Sequence, residues 1–261
     1  MHLGALSSEV SVAVAAHRPY WMPDEQIYVP IQAGALGREP IEGYWRDDEC
    51  DGGISVLNPH LCELTVLYWA WKHLDADAVG LAHYRRHFAG SGDRGVLTSV
   101  EASDLLSKAP VVLPRERNYH IETVGDHYAH TFDEAHLDLL RRAVGELSPE
   151  SLPALEARLA GTRAHMFNMF IMRRDLLDEY CSWLFPIAGM IEREFDYAGL
   201  SEFEARAPGR LAEFLVGTWV DTNRVPYVEC RVKDMEPVNW VKKGSAFLAA
   251  KFAGKKYEKS F

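Results

Sequence analysis

The sequence predicts an α/β fold with a mainly parallel sheet flanked by helices. Two observations carry this: short apolar runs of strand length alternate with helix-period stretches through the first two thirds of the chain, and no internal repeat or low-complexity linker interrupts them. With 261 residues, 48% of them apolar and 25% charged, the chain can bury a sizeable core. One domain, or one domain with a helical appendage, is expected.

The first strand is "SEVSVAVAA", Ser8 to Ala16, which stops at His17-Arg18-Pro19. "YVPIQAGALGREP" is a short extended piece broken by glycine and proline, and the acidic loop "RDDECDGGIS" follows. "NPHLCELTVLYWAWKHL" then reads as a helix with Asn58 as cap and Pro59 in the first turn. Its buried stripe is Leu61, Leu64, Tyr68 and Trp71, with Glu63, Trp69 and Lys72 off it. "AVGLA", Ala78 to Ala82, is a strand that runs into the tip His83-Tyr84-Arg85-Arg86. "SVEASDLLSKA" is a capped helix and "PVVLP" a strand, and residues 120 to 160 are helical. A strand from Met166 to Met172 feeds a helix from about Asp175 that Pro186 is expected to bend. "GRLAEFLVGTWVDTN" is a further helix whose Leu211, Phe214, Leu215 and Thr218 share a face, leaving Glu213 opposite.

A formal net charge of −10 argues against a surface that coats nucleic acid. The four cysteines are scattered without a C-x-x-C pair, so neither a zinc ribbon nor a disulfide scaffold is encoded, and a reducing cytoplasm is expected. No secretion signal or membrane-spanning run is expected either. Dinucleotide and phosphate-loop glycine motifs and a G-x-S-x-G elbow are missing, which disfavours those enzyme classes. His127-x-x-His130 is a weak metal pair. Asp75-Ala76-Asp77 imitates a metal-binding D-x-D, but it precedes its strand and reads as a turn.

Ligands of open α/β sheets sit at the carboxyl ends of the strands, where His83, Tyr84, Arg85 and Arg86 stand. Guanidinium groups match phosphate oxygens bidentately and keep their charge, so they can take the place of a metal on a diphosphate.

"NPHLCELTVLYWAWKHL", "VGLAHYRRHF", "FNMFIMRRDLLDEYCSWLF" and "ARAPGRLAEFL", in this order, resemble a bacterial capsular and exopolysaccharide glycosyltransferase family long catalogued only as a domain of unknown function. Some members of it are galactofuranosyltransferases. The resemblance spans roughly residues 10 to 230 and implies a GT-A-like fold, a UDP-sugar donor and a lipid-linked glycan acceptor. It also implies a soluble or peripheral cytoplasmic enzyme. By position it marks His17, Asn58, Glu63, Tyr68, Trp69, Trp71, Lys72, Tyr84, Asn168 and Arg206 as substrate-binding. His83, Arg85, Arg86 and Glu213 are marked as catalytic. Where the family pattern has "TGDNIS" and "GFLSE", this chain has "CDGGIS" and "GRLAE".

The implied reaction is an inverting transfer without cofactor or metal, with Glu213 as general base and Asp133 and Glu63 as alternatives. Gly209 and Gly217, flanking Glu213 on one helix, would allow close approach of a ligand or another backbone. Two other classes stay open: a non-catalytic glycan- or nucleotide-binding module, and a membrane-docked scaffold. The transferase domain is expected over residues 1–238. The tail 239–261 carries six lysines and one glutamate among aromatics, as an anionic membrane surface would attract. That places the protein on the inner face of the membrane.

Overall fold

The computed structural model of the chain describes residues 9–236; the tail 239–261 lies outside the described residues. The strands are β1 (Val10–Ala16), β2 (Tyr28–Gln32), β3 (Trp45–Arg46), β4 (Ala78–His83), β5 (Arg86–Phe88), β6 (Val111–Pro114), β7 (Arg117–Asn118), β8 (Arg163–Ala164), β9 (Phe170–Arg173), β10 (Tyr227–Cys230) and β11 (Val232–Asp234). The main sheet runs β10-β6-β9-β4-β1-β2-β3, with β5 folded back on β4 and β11 laid along β5. The β1–β2, β1–β4, β2–β3 and β6–β10 pairs are parallel. β9 is antiparallel to both of its neighbours. The fold is therefore α/β with a mostly parallel sheet.

Every residue of β1 is buried, the mark of an inner strand covered on both faces. Its side chains alternate between two cores. Ala13 and Ala15 join the larger core with Val79, Leu81, Leu113, Phe170 and Met172. Val10, Val12 and Val14 join the second with Val112, Ile171 and Leu97.

The helices are α1 (Asn58–Leu61), α2 (Leu64–His73), α3 (Ser99–Leu106), α4 (Val124–Thr131), α5 (Ala135–Leu147), α6 (Leu152–Ala160), α7 (Arg174–Glu194), α8 (Ala207–Ala212) and α9 (Leu215–Asn223). α3 opens on a capping box in which Thr98 and Glu101 exchange side-chain and backbone bonds. α7 passes through Pro186 as one element of 21 residues. Among the described residues no helix is long and apolar enough to cross a membrane.

Five sequence expectations need correction. The helix expected from Asn58 is broken at Cys62, whose φ is 52°. Asn58 is not its cap: the Asn58 amide donates to the Cys62 carbonyl (2.8 Å) and to Thr65 Oγ1 (3.0 Å), and the side chain packs where a Cβ on Gly34 would stand. The stripe is also different, because α2 lies between the sheet and α7 and buries more than one face. Leu64, Thr65, Val66, Leu67, Trp69 and Ala70 are buried, whereas Tyr68 and Trp71 are only partly so. The strand expected from Met166 begins at Phe170. Finally, "GRLAEFLVGTWVDTN" is two helices, α8 and α9, with Glu213 in the turn between them.

Gly80, in the middle of β4, lets β9 lie close. A Cβ there would stand 2.8 Å from the Phe170 carbonyl oxygen and 2.9 Å from Ile171 Cγ1. The Gly80→Val variant is expected to lose about 1–3 kcal/mol, read as a lower urea midpoint at unchanged m-value.

Candidate active site

The sheet changes direction of growth at β1 and β4: β2 and β3 are added on one side of β1, and β4 on the other. Beyond the carboxyl ends of this parallel pair lies the crevice where α/β proteins take their ligands. His17 follows β1, and His83 ends β4 directly opposite Ala15. Asp75 and Asp77 lie before β4, at the other end of the sheet, as turn residues.

The "HYRR" tip is the start of a hairpin, in which His83 pairs with Arg86 across the β4–β5 turn. The Arg85 backbone N–H donates to His83 Nδ1 at 3.2 Å. Tyr84 is buried and meets the His17 and Tyr20 rings edge-on, each at 5.0 Å, with the Arg18 and Arg85 guanidiniums over its ring at 5.6 and 5.5 Å. Burial, reinforced by the Arg85 and Arg86 charges, holds His83 well below the usual imidazole range, so it is neutral at pH 7. Two arginines at the tip have acidic partners from the end of the described chain. Arg86 Nε bonds Asp234 at 3.2 Å and Arg18 bonds Glu236 at 3.1 Å.

The opposite wall is built around Phe167 and Asn168, consecutive left-handed residues with φ of 82° and 51°. For residues with a side chain this conformation costs on the order of 1–3 kcal/mol each. Antiparallel pairing of β9 with β4 sets this corner at the same sheet end as His83. The Phe167 backbone N–H donates to Glu213 Oε2 at 3.0 Å. The Asn168 amide donates to Glu63 Oε1 (3.0 Å) and to the Gly209 carbonyl (3.1 Å). The Arg86 guanidinium covers the Phe167 ring at 4.4 Å, joining the two walls. Burial, and then the Glu63 charge, raise the Glu213 pKa to about 7.

Arg206 Nε donates to Cys62 Sγ at 3.3 Å. Burial pushes that thiol up to about 11, so Arg206 faces a neutral sulfur, and the acidic charge acting on it is that of Glu63. Arg210 lies between the Phe132 and Phe203 rings, its guanidinium 4.4 Å from each, and bonds the Phe203 carbonyl. The arginine in "GRLAE" thus takes a site walled by aromatic rings, which explains how a charge is accommodated where an apolar residue was expected.

Nine of the marked residues therefore converge: His17, Glu63, His83, Tyr84, Arg85, Arg86, Asn168, Arg206 and Glu213. Asn58 supports the chain break at Cys62 beside them. Tyr68, Trp69, Trp71 and Lys72 do not converge. They lie further along α2, Lys72 being about 12 Å of helix rise beyond Leu64. Trp71 Nε1 donates to Asp178 of α7 and stacks on Phe185, with the Lys72 ammonium 3.3 Å from its ring centroid. Tyr68 meets Phe185 edge-on, and Trp69 is buried with Nε1 donating to the Glu49 carbonyl. Gly209 and Gly217 face protein. A Cβ on Gly209 would meet Cys62 Sγ and the His60 carbonyl, and one on Gly217 would strike the Arg158 guanidinium. Of the close approach expected at these glycines, by a ligand or another backbone, Gly209 shows the backbone alternative, while Gly217 makes room for a side chain.

Phe167 and Arg210 were not marked by the sequence, nor was Glu122. The Glu122 carboxylate accepts from His127 Nδ1 (2.6 Å) and His130 Nδ1 (3.0 Å), so the H-x-x-H pair grips a carboxylate. Asp133, the other alternative base, caps the next turn by accepting from the Ala135 N–H (3.1 Å). Among the described residues no group of three or more His, Cys, Asp or Glu is placed to hold a metal ion. Chemically, the site offers fixed guanidiniums on one wall and, on the other, a carboxylate that exchanges its proton near neutrality.

A family model described as a domain of unknown function, DUF4422, matches residues 11–224. The chain belongs to the DUF4422 family. None of the curated proteins matches. Among solved structures, the chain is similar to one described as the apo form of WbbM, a bifunctional glycosyltransferase. The identity is 24% and the TM-score 0.79, over 88% of this chain and 46% of that one. The likeness establishes a shared α/β fold, and this chain spans less than half of that protein's length.

Because the folded Glu213 pKa lies near 7 and the unfolded one near about 4.3, the folded state holds this proton more tightly. Its contribution to stability is full below about pH 4 and is lost as pH rises through about 7. The Glu213→Gln variant is therefore expected to melt higher than the wild type at pH 8, with the difference shrinking towards pH 5. An equal gap at both values in thermal scans refutes the assignment.

Proposed function

We propose that this protein is a glycosyltransferase that moves a sugar from a UDP-sugar donor, galactofuranose being the first to test, to a lipid-linked glycan acceptor in cell-surface polysaccharide synthesis. The observation that carries the proposal is the arrangement at the β1 and β4 ends: arginines face a carboxylate held on the Phe167 N–H. The donor diphosphate lies against Arg85, Arg86 and Arg206, with His17, His83 and Tyr84 shaping that wall. The acceptor hydroxyl oxygen attacks the anomeric carbon as its bond to the diphosphate oxygen breaks. The hydroxyl proton passes to Glu213, and the leaving charge falls on the guanidiniums. One displacement inverts the anomeric centre.

Fixed guanidinium charge supports a reaction that needs no divalent metal. The membrane-side acceptor is supported by the sequence of the tail alone, where each lysine near an anionic surface adds about 1 kcal/mol. Under this reading the protein works in the cytoplasm, peripheral on the inner face of the membrane.

UDP-sugar hydrolysis and transfer by the purified protein test the proposal. Arg86→Ala is expected to lower kcat/KM on the order of 10²–10³-fold. Glu213→Gln is expected to retain donor binding and lose transfer by about 10²-fold or more. EDTA is expected to leave the rate unchanged. Donor binding without turnover in the wild type would instead indicate a non-catalytic binding module.

Asp234 and Glu236 give a further handle, because the donor phosphates compete with them for Arg86 and Arg18. Asp234→Asn is expected to lower the KM for donor. An unchanged or higher KM shows that the Asp234 pair does not stand in the donor's way.

A further inference from the structure

Asn168 is 1% exposed, yet its amide reaches two separate chain segments: Glu63, at the start of α2, and the Gly209 carbonyl in α8. Its neighbour Phe167 holds Glu213, just past the end of α8. These two bonds, to two carboxylates from distant parts of the chain, leave from adjacent left-handed residues. The contact is closed on the far side by Gly209, where a Cβ would stand 2.9 Å from Cys62 Sγ and 3.0 Å from the His60 carbonyl oxygen. α8 can therefore sit against the residues preceding Glu63 only with glycine at this position.

We propose that the Phe167–Asn168 corner clamps Glu63 beside Glu213, so that Glu63 and Asn168 are positioning residues for the base and do not bind substrate. The proposal rests on the transferase reading of Glu213. Glu63 Oε1 accepts from the Asn168 amide, which fixes this carboxylate as a neighbour of Glu213. Five charged or titratable groups act around the Glu213 carboxylate: Glu63 from the α1–α2 junction, Arg86 from β5, Arg210 from α8, Tyr119 from the segment after β7 and Tyr128 from α4. Burial and Glu63 favour its protonated form, while the Phe167 N–H, Arg86 and Arg210 favour the carboxylate. This balance suits a group that must be free of its proton when the acceptor arrives and bind it during attack.

The pH dependence of donor turnover separates the roles. In the wild type, kcat/KM is expected to rise as pH passes through about 7, because Glu213 must lose its proton to act. Removing the Glu63 charge lowers the proton affinity of Glu213, so Glu63→Gln is expected to move this limb down by on the order of one pH unit with KM unchanged. Asn168→Ala releases Glu63 and is expected to move the limb the same way while lowering kcat. An infrared titration of the carboxyl band that disappears in Glu213→Gln reads the same midpoint without turnover, for whichever of the two variants folds. A raised KM with the limb in place in Glu63→Gln overturns the proposal and makes Glu63 a substrate ligand. Full transfer by Glu213→Gln instead overturns the reading of Glu213 as the base.

Discussion

The antiparallel pairing of β9 against β4 is the constraint on which the site depends. β4 supplies the histidine and arginines at its carboxyl end, and β9 supplies the Phe167–Asn168 corner at its amino end. Only opposite strand directions bring these two ends together; a parallel β9 would deliver the corner to the far edge of the sheet. The pairing in turn requires Gly80, since the Phe170 carbonyl and Ile171 fill the space of a Cβ. One small residue in the centre of the sheet thus determines whether the guanidiniums and the carboxylates face one another.

The parts of the fold legible in the sequence were those whose burial is complete. β1, β4 and β6 lie inside the sheet and read as predominantly apolar runs, and α3 announces itself through its capping box. The edge strands β10 and β11 were not read. Tyr227–Cys230 is alternately exposed and half-buried and carries a glutamate, so nothing in its composition separates it from a loop. The turn at Glu213 was hidden for the opposite reason. Leu211, Phe214, Leu215 and Thr218 are all buried, as one continuous helix would also require, and the apolar pattern is blind to a two-residue break between them.

The site was legible where chemistry and position coincide, at the strand end bearing His83, Arg85 and Arg86, and illegible where the backbone does the placing. Phe167 enters through its N–H, which every residue but proline possesses, and its left-handed conformation leaves no mark on residue type. Resemblance picked out Asn168 and Glu63 separately but could not pair them, since they stand 105 positions apart. The aromatic residues of α2 mislead in the other direction. Their types suit a sugar-binding face, yet the helix presents Tyr68 and Trp71 to Phe185 of α7 and buries Trp69.

Charge completes the relation between chain and site. With a net charge of −10 the chain has carboxylates to spare, and several of its arginines are paired with one, as Arg141, Arg142 and Arg173 are. Arg85, Arg206 and Arg210 are not: among the described residues they have a tyrosine ring, a neutral thiol and two phenyl rings as neighbours, and Arg85 Nε and Arg210 Nη1 are buried without a hydrogen-bond partner. Guanidiniums held by soft, uncharged groups keep their Coulombic attraction available, at the cost of leaving polar atoms unsatisfied. Arg86 and Arg18, by contrast, are held by Asp234 and Glu236 from the segment that follows β10. The cationic wall is therefore of two kinds: Arg85 and Arg206, which make no hydrogen bond to a carboxylate among the described residues, and Arg86 and Arg18, each bonded to one. An anion entering this site meets the first without breaking a salt bridge and must displace acidic side chains to gain from the second.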